Sequence, residues 1–501
     1  MAHVKSGDHA LRTSTAFTTF VVCFAIHTDS FLYAAIVPVA PFALAKQVHE
    51  EKVQVWVAIL LGSFGIGCFV TSVPWGYFID RSTSRRCPFL IGLLVLLAST
   101  GLLWVAPYIK SGGLPVQVIA RVLQGFASTI VWMTGLAILV DVVGPARIGE
   151  YSGYIGLALN LGNLTGPLLG GVVFARSGYH AVFALIISVV LVDIMLRLIV
   201  KEKPVQKTVR PTRSYASVSR PLKSRVRGPG IARDIEKVAP VENALEVALH
   251  DPVSSPQDSL SLSTSTCPSE VSRLPVMLRL LLSTRFAVAV WGIFVLAVVY
   301  TGFETVLPLT VKKVFGWNAE GGGLAFVPLS LPSLFGPLVG KFTDRHGGRW
   351  ITAGAFVTIC PTLILLRLIN ENNMKHKVLL CALLVIIGIC LTLTLEPLFA
   401  EITGRATRLE AVDAGALGGT TVGRGYYVLA YAHFNWAWSL GNTLGPILSG
   451  FIVDAAGWKT AMLAMGVLAG TSAIPIFLWI DGWVCKTAPP SNASDDDTRI
   501  R

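Results

Sequence analysis

The chain has 501 residues, 53% apolar and only 14% charged, with a net charge of +12 and a mean hydropathy of +0.64. A soluble protein of this size carries about a quarter charged residues, so the composition excludes an ordinary water-soluble domain. Nor does the positive charge indicate nucleic acid, because Lys and Arg cluster at the ends of apolar blocks and in one central segment, as membrane topology asks of them.

The apolar blocks are about 20 residues long, enough for a helix to cross about 30 Å of hydrocarbon. Backbone groups in lipid must pair within their own segment. The short alternating strands of a β-barrel are not seen in the sequence. In chain order, helical spans are expected at residues 16–44, 53–79, 88–109, 115–140, 151–175, 180–200, 285–311, 322–341, 350–369, 377–400, 427–454 and 459–483. The first block is too long for a signal-peptide core and lacks a small-residue cleavage pattern. The expected fold class is therefore an all-α membrane protein, with twelve transmembrane helices in two six-helix bundles. Its divisions are 1–200 for the N-terminal bundle, 201–284 for a central loop, 285–484 for the C-terminal bundle and 485–501 for a tail.

The central loop is different material. Residues 201–237 hold eleven Lys or Arg against three acids, Glu202, Asp234 and Glu236, and 254–269 is rich in Ser and Pro. Such a composition predicts disorder, with the basic half lying against an anionic cytosolic leaflet. A cytosolic loop with an even number of spans on each side puts both termini in the cytosol.

Eight cysteines show no Cys-x-x-Cys pairing, so neither a disulfide framework nor a metal site is expected. No His-Glu-x-x-His, Gly-x-Ser-x-Gly or phosphate-binding loop with Lys is found. The expectation is a protein that is not an enzyme, uses no cofactor and is not driven by ATP. Asn492-Ala-Ser494 reads as a glycosylation acceptor, placed here on the cytosolic side where it is not used.

An internal repeat organises the spans. Gly76-Tyr-Phe-Ile-Asp80-Arg81, through Arg85 and Arg86, matches Gly340-Lys-Phe-Thr-Asp344-Arg345, through Arg349. Leu161-Gly-Asn-Leu-Thr-Gly166-Pro167-Leu-Leu-Gly170 in span five matches Leu440-Gly-Asn-Thr-Leu-Gly445-Pro446-Ile-Leu-Ser-Gly450 in span eleven. Each pair is six spans apart, which argues for duplicated halves with a substrate site between them. Gly162, Gly166 and Gly170 line one helix face and permit close approach of a neighbour, while Pro167 and Pro446 are expected to bend their helices.

Ionisable residues inside the spans are the candidate machinery. Asp29, near the middle of span one, costs about 2.5–3.5 kcal/mol if charged and unpaired. It must meet a partner or a wet cavity, which suits a proton carrier, a counter-charge for a cationic substrate or a structural hydrogen bond. His27 is two residues away and on another face, where packing and function are both open. Glu304 takes the equivalent place in span seven. Glu396 lies in the inner part of span ten, with snorkelling to the surface as its alternative. Arg121, in the outer third of span four, stays charged and needs a carboxylate or carbonyls. Asp80 with Arg81, and Asp344 with Arg345, form gating loops between spans, joined by Asp141 and Arg147. Asp193 and Arg197, four apart in span six, are read as a local ion pair near the inner surface. Span eleven is aromatic and polar, with Tyr426, Tyr427, Tyr431, His433, Asn435, Trp436 and Trp438, for cavity lining or for packing.

The Gly-x-x-x-Asp-Arg loops, Arg121-Val-Leu-Gln124-Gly125 and Gly162-x-x-x-Gly166-Pro167-x-x-Gly170-Gly171 resemble signatures of the major facilitator superfamily. The last two resemble the motifs of its drug:proton antiporters. Phe24-Ala-Ile-His27-Thr-Asp29 through Ile36-Val-Pro38-Val-Ala-Pro41 is similar to the vesicular amine transporter branch. The resemblance covers both halves and implies proton or substrate roles for Asp29, Glu304, Glu396 and Arg121. It departs at Asn435, where the amine branch carries an acid, and around Phe64, where that branch carries a lysine. The implied partners are a small organic substrate (a drug, xenobiotic or secondary metabolite), protons and the lipid bilayer. The chain is expected to be a monomeric efflux carrier, in the plasma membrane ahead of a vacuolar or vesicular one. A proton-coupled importer or facilitative carrier is the alternative.

Overall fold

The computed structural model describes residues 14–82, 84–109, 112–143, 148–200, 276–416 and 425–482. The readings on the central loop through residue 275, on Arg147 and on the tail from 485 fall outside them. So do the side chains of Asp80, Arg81, Asp344 and Tyr427.

Among the described residues, ten helical stretches are long and apolar enough to cross a membrane. Two of them, Gly153–Ile199 and Leu429–Trp479, run 47 and 51 residues, about 70 Å or more at 1.5 Å per residue. Each is broken by a glycine with positive φ, Gly178 at 80° and Gly457 at 80°, a backbone region that favours glycine. Each therefore holds two passes, spans five and six and spans eleven and twelve, consistent with the expected twelve.

Proline and glycine explain where the elements depart from the sequence reading. Span one is the helix Thr15–Ile36 followed by a turn and the short helix Ala40–Leu44, because Pro38 and Pro41 each withdraw an amide donor. Span eight is assembled from Ala319–Leu324, Phe326–Ser330, the 3₁₀ turn Leu331–Phe335 and Gly336–His346, across a stretch holding Pro328, Pro332 and Pro337. Span ten, Met374–Ala416, continues well beyond residue 400. Its extension is held by ion pairs, with Glu401 taking Arg285 at 2.8 Å and Arg405 at 3.9 Å. Within the segment 201–284, the described residues include the apolar helix Val276–Leu282. Arg279 there clamps Asp413 at 2.9 and 3.0 Å, and the Tyr426 hydroxyl donates to the same carboxylate.

The glycine stripe packs as its spacing predicts. A Cβ on Gly162 would fall 2.6 Å from the Cβ of Ser30, one on Gly166 2.8 Å from Ala34, and one on Gly170 2.3 Å from the Ala35 carbonyl. Span five therefore lies backbone to backbone on span one. The duplicate behaves alike: Gly441 meets Ala297 at 2.4 Å and Gly445 meets Thr301 at 2.4 Å, so span eleven lies on span seven.

The halves meet through the last glycine of each motif. Gly171 abuts Ala319 and Gly323 of span eight, and Gly450 abuts Ala58 of span two. This interface closes the end of the bundle at residues 44–53 and 315–319. There Gln54 donates to the Thr305 carbonyl at 3.4 Å, Arg176 pairs with Glu320 at 3.3 Å and Lys312 lies over the Phe42 ring. At the other end, Ile79, Met133 and Ala137 cluster with Ala432 of span eleven.

Candidate functional site

Two adjoining cavities lie between the halves. The first has about 690 Å³ of space outside protein atoms and is bordered by Asp29, Tyr33, Trp132, Tyr300, Asn435 and Trp438, among others. The second, about 550 Å³, shares Asn163, Tyr300 and Trp438 with the first and adds Glu396.

Helix periodicity carries a polar stripe of span four to the first cavity, whose wall Ser128 and Trp132 join. Arg121, Gln124, Ser128 and Trp132 follow one another at three- or four-residue steps, one stripe of span four. Ser128 donates to Asp29 Oδ2 at 2.7 Å and Trp132 Nε1 donates to the same oxygen at 2.9 Å. Asp29 is 4% exposed, and its Oδ1 has no hydrogen-bond partner. The carboxyl is thus anchored by one oxygen while the other remains available, at a cavity wall.

Arg121 is fully buried with no carboxylate in direct contact among its hydrogen bonds. Its Nε donates to the Leu60 carbonyl at 3.3 Å and its NH1 to Gln124 at 2.9 Å. The guanidinium lies over the rings of Tyr33 and Phe64, 5.3 and 5.1 Å from their centroids. Phe64 therefore forms part of this cation's aromatic seat. Tyr33, whose ring carries Arg121, stands one turn beyond Asp29 and sends its hydroxyl to Glu304.

Glu304 is 1% exposed. Tyr33 of the opposite half donates to its Oε2 at 3.3 Å, and Tyr300 stands one turn before it in span seven. Its Oε1 has no partner. Asn435 donates to Ser72 of span two at 2.7 Å, another hydrogen bond across the halves. Glu396 borders the second cavity beside Gly336, where a Cβ would fall 2.6 Å from Oε1.

Other candidates stand elsewhere. His27 is half-buried, packs between Phe24 and Phe31 and does not line either cavity. Among the span-eleven aromatics singled out by sequence, Trp438 borders both cavities. Tyr431 packs on Phe399, His433 meets Phe286 edge-on and Trp436 packs on Phe69. Arg345 is exposed, while Arg85 pairs with Asp141 at 3.3 Å at the same end of the bundle. Asp193 and Arg197, read from the sequence as a local pair near the inner surface, are 0% and 1% exposed. Arg197 lies over Phe89, and neither Asp193 oxygen accepts a hydrogen bond.

The reading of the residues missed Tyr33, Ser128, Trp132, Tyr300 and Phe434. A signal existed for most of them. Tyr33 is one turn beyond Asp29, Tyr300 one turn before Glu304, and Ser128 and Trp132 continue the stripe begun by Arg121.

A membrane-crossing helical bundle in two repeated halves, with buried carboxylates at a cavity between them, defines a polytopic transporter of small molecules. The chain belongs to the Major Facilitator Superfamily, which its residues 19–426 match. It is 29% identical over 466 residues to the uncharacterized MFS-type transporter C18.02 of Schizosaccharomyces pombe, covering 92% of this chain and 95% of that one. It is 31% identical over 188 residues to a probable vesicular acetylcholine transporter-B of Danio rerio, 36% of each chain. Among solved structures, a bacterial homolog of the human lysosomal transporter Spinster, inward-facing and unoccupied, superposes with a TM-score of 0.64 at 14% identity. That match covers 95% of this chain and 99% of the other.

Proposed function

We propose that the chain is a proton-coupled carrier that expels a small organic molecule by alternating access. The observation that supports this reading is Asp29, a buried carboxyl at the cavity wall with one oxygen held by Ser128 and Trp132 and the other unpartnered. Such a group is tolerated in a membrane only where a wet cavity serves it. Substrate and proton compete there, and the halves rock about the site. Glu304 and Arg121 form the second charged centre of the exchange, and Glu396 extends the site into the second cavity. In this reading the 81–86 end faces the cytosol with both termini, the 44–53 end faces outward, and the plasma membrane is the working location.

The aromatic rings around the cavity suit a ligand with an extended apolar surface. The test is a compound panel, screened in proteoliposomes with an imposed pH gradient. Accumulation against the substrate gradient, driven by proton flow in the opposite direction and lost in Asp29→Asn, is the expected result. Accumulation in the same direction as protons identifies an importer, and gradient-independent equilibration a facilitative carrier.

A further inference from the structure

Tyr33 has no role in the reading above, yet it joins the two charged centres. Tyr33 is 7% exposed, and its ring packs at a tilt against Phe64 with centroids 4.8 Å apart and carries the Arg121 guanidinium on its face. Its hydroxyl leaves this half of the protein and reaches Glu304 in the other. The next residue, Thr305, offers its carbonyl to Gln54 of the first half, in the contact zone that closes the 44–53 end.

We propose that Tyr33 is a positioning residue that ties the charge state of Glu304 to closure of the 44–53 end. The proposal rests on the reading of Glu304 as a proton site. An ionised carboxylate is a far better acceptor for a phenol than a protonated one. Ionised Glu304 therefore holds Tyr33, and with it span one and Arg121, against span seven. A proton on Glu304 weakens that hydrogen bond, and the end is released to open. The sign follows: closure is favoured at alkaline pH and relaxed as the carboxyl takes up a proton. The titratable and charged groups around Glu304 are Tyr33, which bonds to it, Arg121 on the Tyr33 ring, and Tyr300 one turn away in its own helix. Of these, Tyr33 and Arg121 belong to the opposite half, and Tyr33 makes the hydrogen bond. Separation of the halves at this end must therefore break the link.

The test needs no substrate. Spin labels are placed on cysteines introduced at Lys52 and Lys313, both exposed at the closing end, in a full chain freed of its native cysteines and held in lipid nanodiscs. Distance distributions are recorded from alkaline to acidic pH. The wild-type chain is expected to show a short distance at alkaline pH and a growing long-distance population on acidification. Tyr33→Phe keeps the ring and its contacts but loses the donor. Its long-distance population at alkaline pH is expected to rise about tenfold, the scale of one hydrogen bond to a charged group. Glu304→Gln should show the same rise, and the double variant no further one, because the two act through one link.

Tyr33→Phe with wild-type populations and pH response overturns the proposal. If Glu304→Gln is then altered, the failure belongs to Tyr33 alone. If Glu304→Gln is also like wild type, the proton role of Glu304 falls with it. Should Tyr33→Phe not fold, Glu304→Gln carries the test, and an unchanged pH response in it overturns the link.

Discussion

The hydroxyl of Ser128 in span four lies 2.7 Å from Oδ2 of Asp29 in span one, and Trp132, one turn on, donates to the same oxygen. This one-sided anchoring holds the carboxyl at the cavity wall without satisfying it, since Oδ1 accepts nothing from the protein. An unpaired buried acceptor costs about 1–3 kcal/mol, which favours a role for Oδ1 at the cavity beyond packing.

Asp29→Asn is expected to reduce pH-gradient-driven accumulation at least about tenfold, since an amide keeps the hydrogen bonds but cannot carry a proton. Ser128→Ala should impair accumulation less, because Trp132 remains as a donor. Flux measured in proteoliposomes with and without a gradient checks both. Loss of downhill exchange as well in Asp29→Asn would assign Asp29 to substrate binding in addition to coupling.

The glycine contacts predict which substitutions unfold the protein. Gly166→Leu and Gly445→Leu force side chains into positions already occupied by Ala34 and Thr301, and overpacking of this kind costs about 1–3 kcal/mol or more. Gly354, whose Cβ would meet nothing within 4 Å, should accept Ala without loss. Thermal unfolding of the purified variants distinguishes them, and equal melting of Gly166→Leu and wild type would contradict the packing account.

Arg85 and Asp141 form a largely buried pair at the 81–86 end, with side-chain exposures of 9% and 13%. Arg85→Ala is expected to destabilise by about 1–3 kcal/mol, between the limits for exposed and fully buried pairs. Exchanging the two charges should recover part of that loss. Denaturation midpoints across the double-mutant cycle measure the coupling, and additive losses would mean that the pair contributes nothing of its own.

Asp413 organises the entry to span seven by accepting from both Arg279 and Tyr426. Asp413→Asn keeps the shape and removes the charge, and bidentate charge-assisted bonds of this kind are about twice as strong as neutral ones. Amide exchange over residues 276–282 should accelerate about tenfold in the variant, for a loss of about 1.4 kcal/mol. Unchanged exchange there would show that apolar packing alone holds the short helix.

Asn435 donates to Ser72 across the halves, in a position where an acid would instead need a donor. Asn435→Leu should weaken this contact and lower the melting temperature by a few degrees, the response to about 1 kcal/mol in a domain of a few hundred residues. An unchanged melting temperature with altered transport would assign Asn435 to the substrate.

What the sequence determined by itself follows from local rules. Hydrophobic block length set the spans, because a helix must cross a film of fixed thickness. The repeated Gly-Pro motif marked the faces of spans five and eleven that approach a neighbour, because only glycine spacing along a single helix is needed to see it. The cost of charge in lipid flagged Asp29, Glu304 and Arg121 one at a time.

What only the tertiary structure decided is which of these groups meet. Asp29 finds Ser128 at a separation of 99 residues, and Tyr33 finds Glu304 at 271. Periodicity is a property of one helix, while such pairings depend on how helices lean and rotate against one another. For the same reason Asp193 with Arg197 proved buried: their depth is set by the neighbours that cover them, and no spacing along span six records it. His27, by contrast, packs between Phe24 and Phe31 of its own helix, a contact that three- and four-residue spacing along span one already implies.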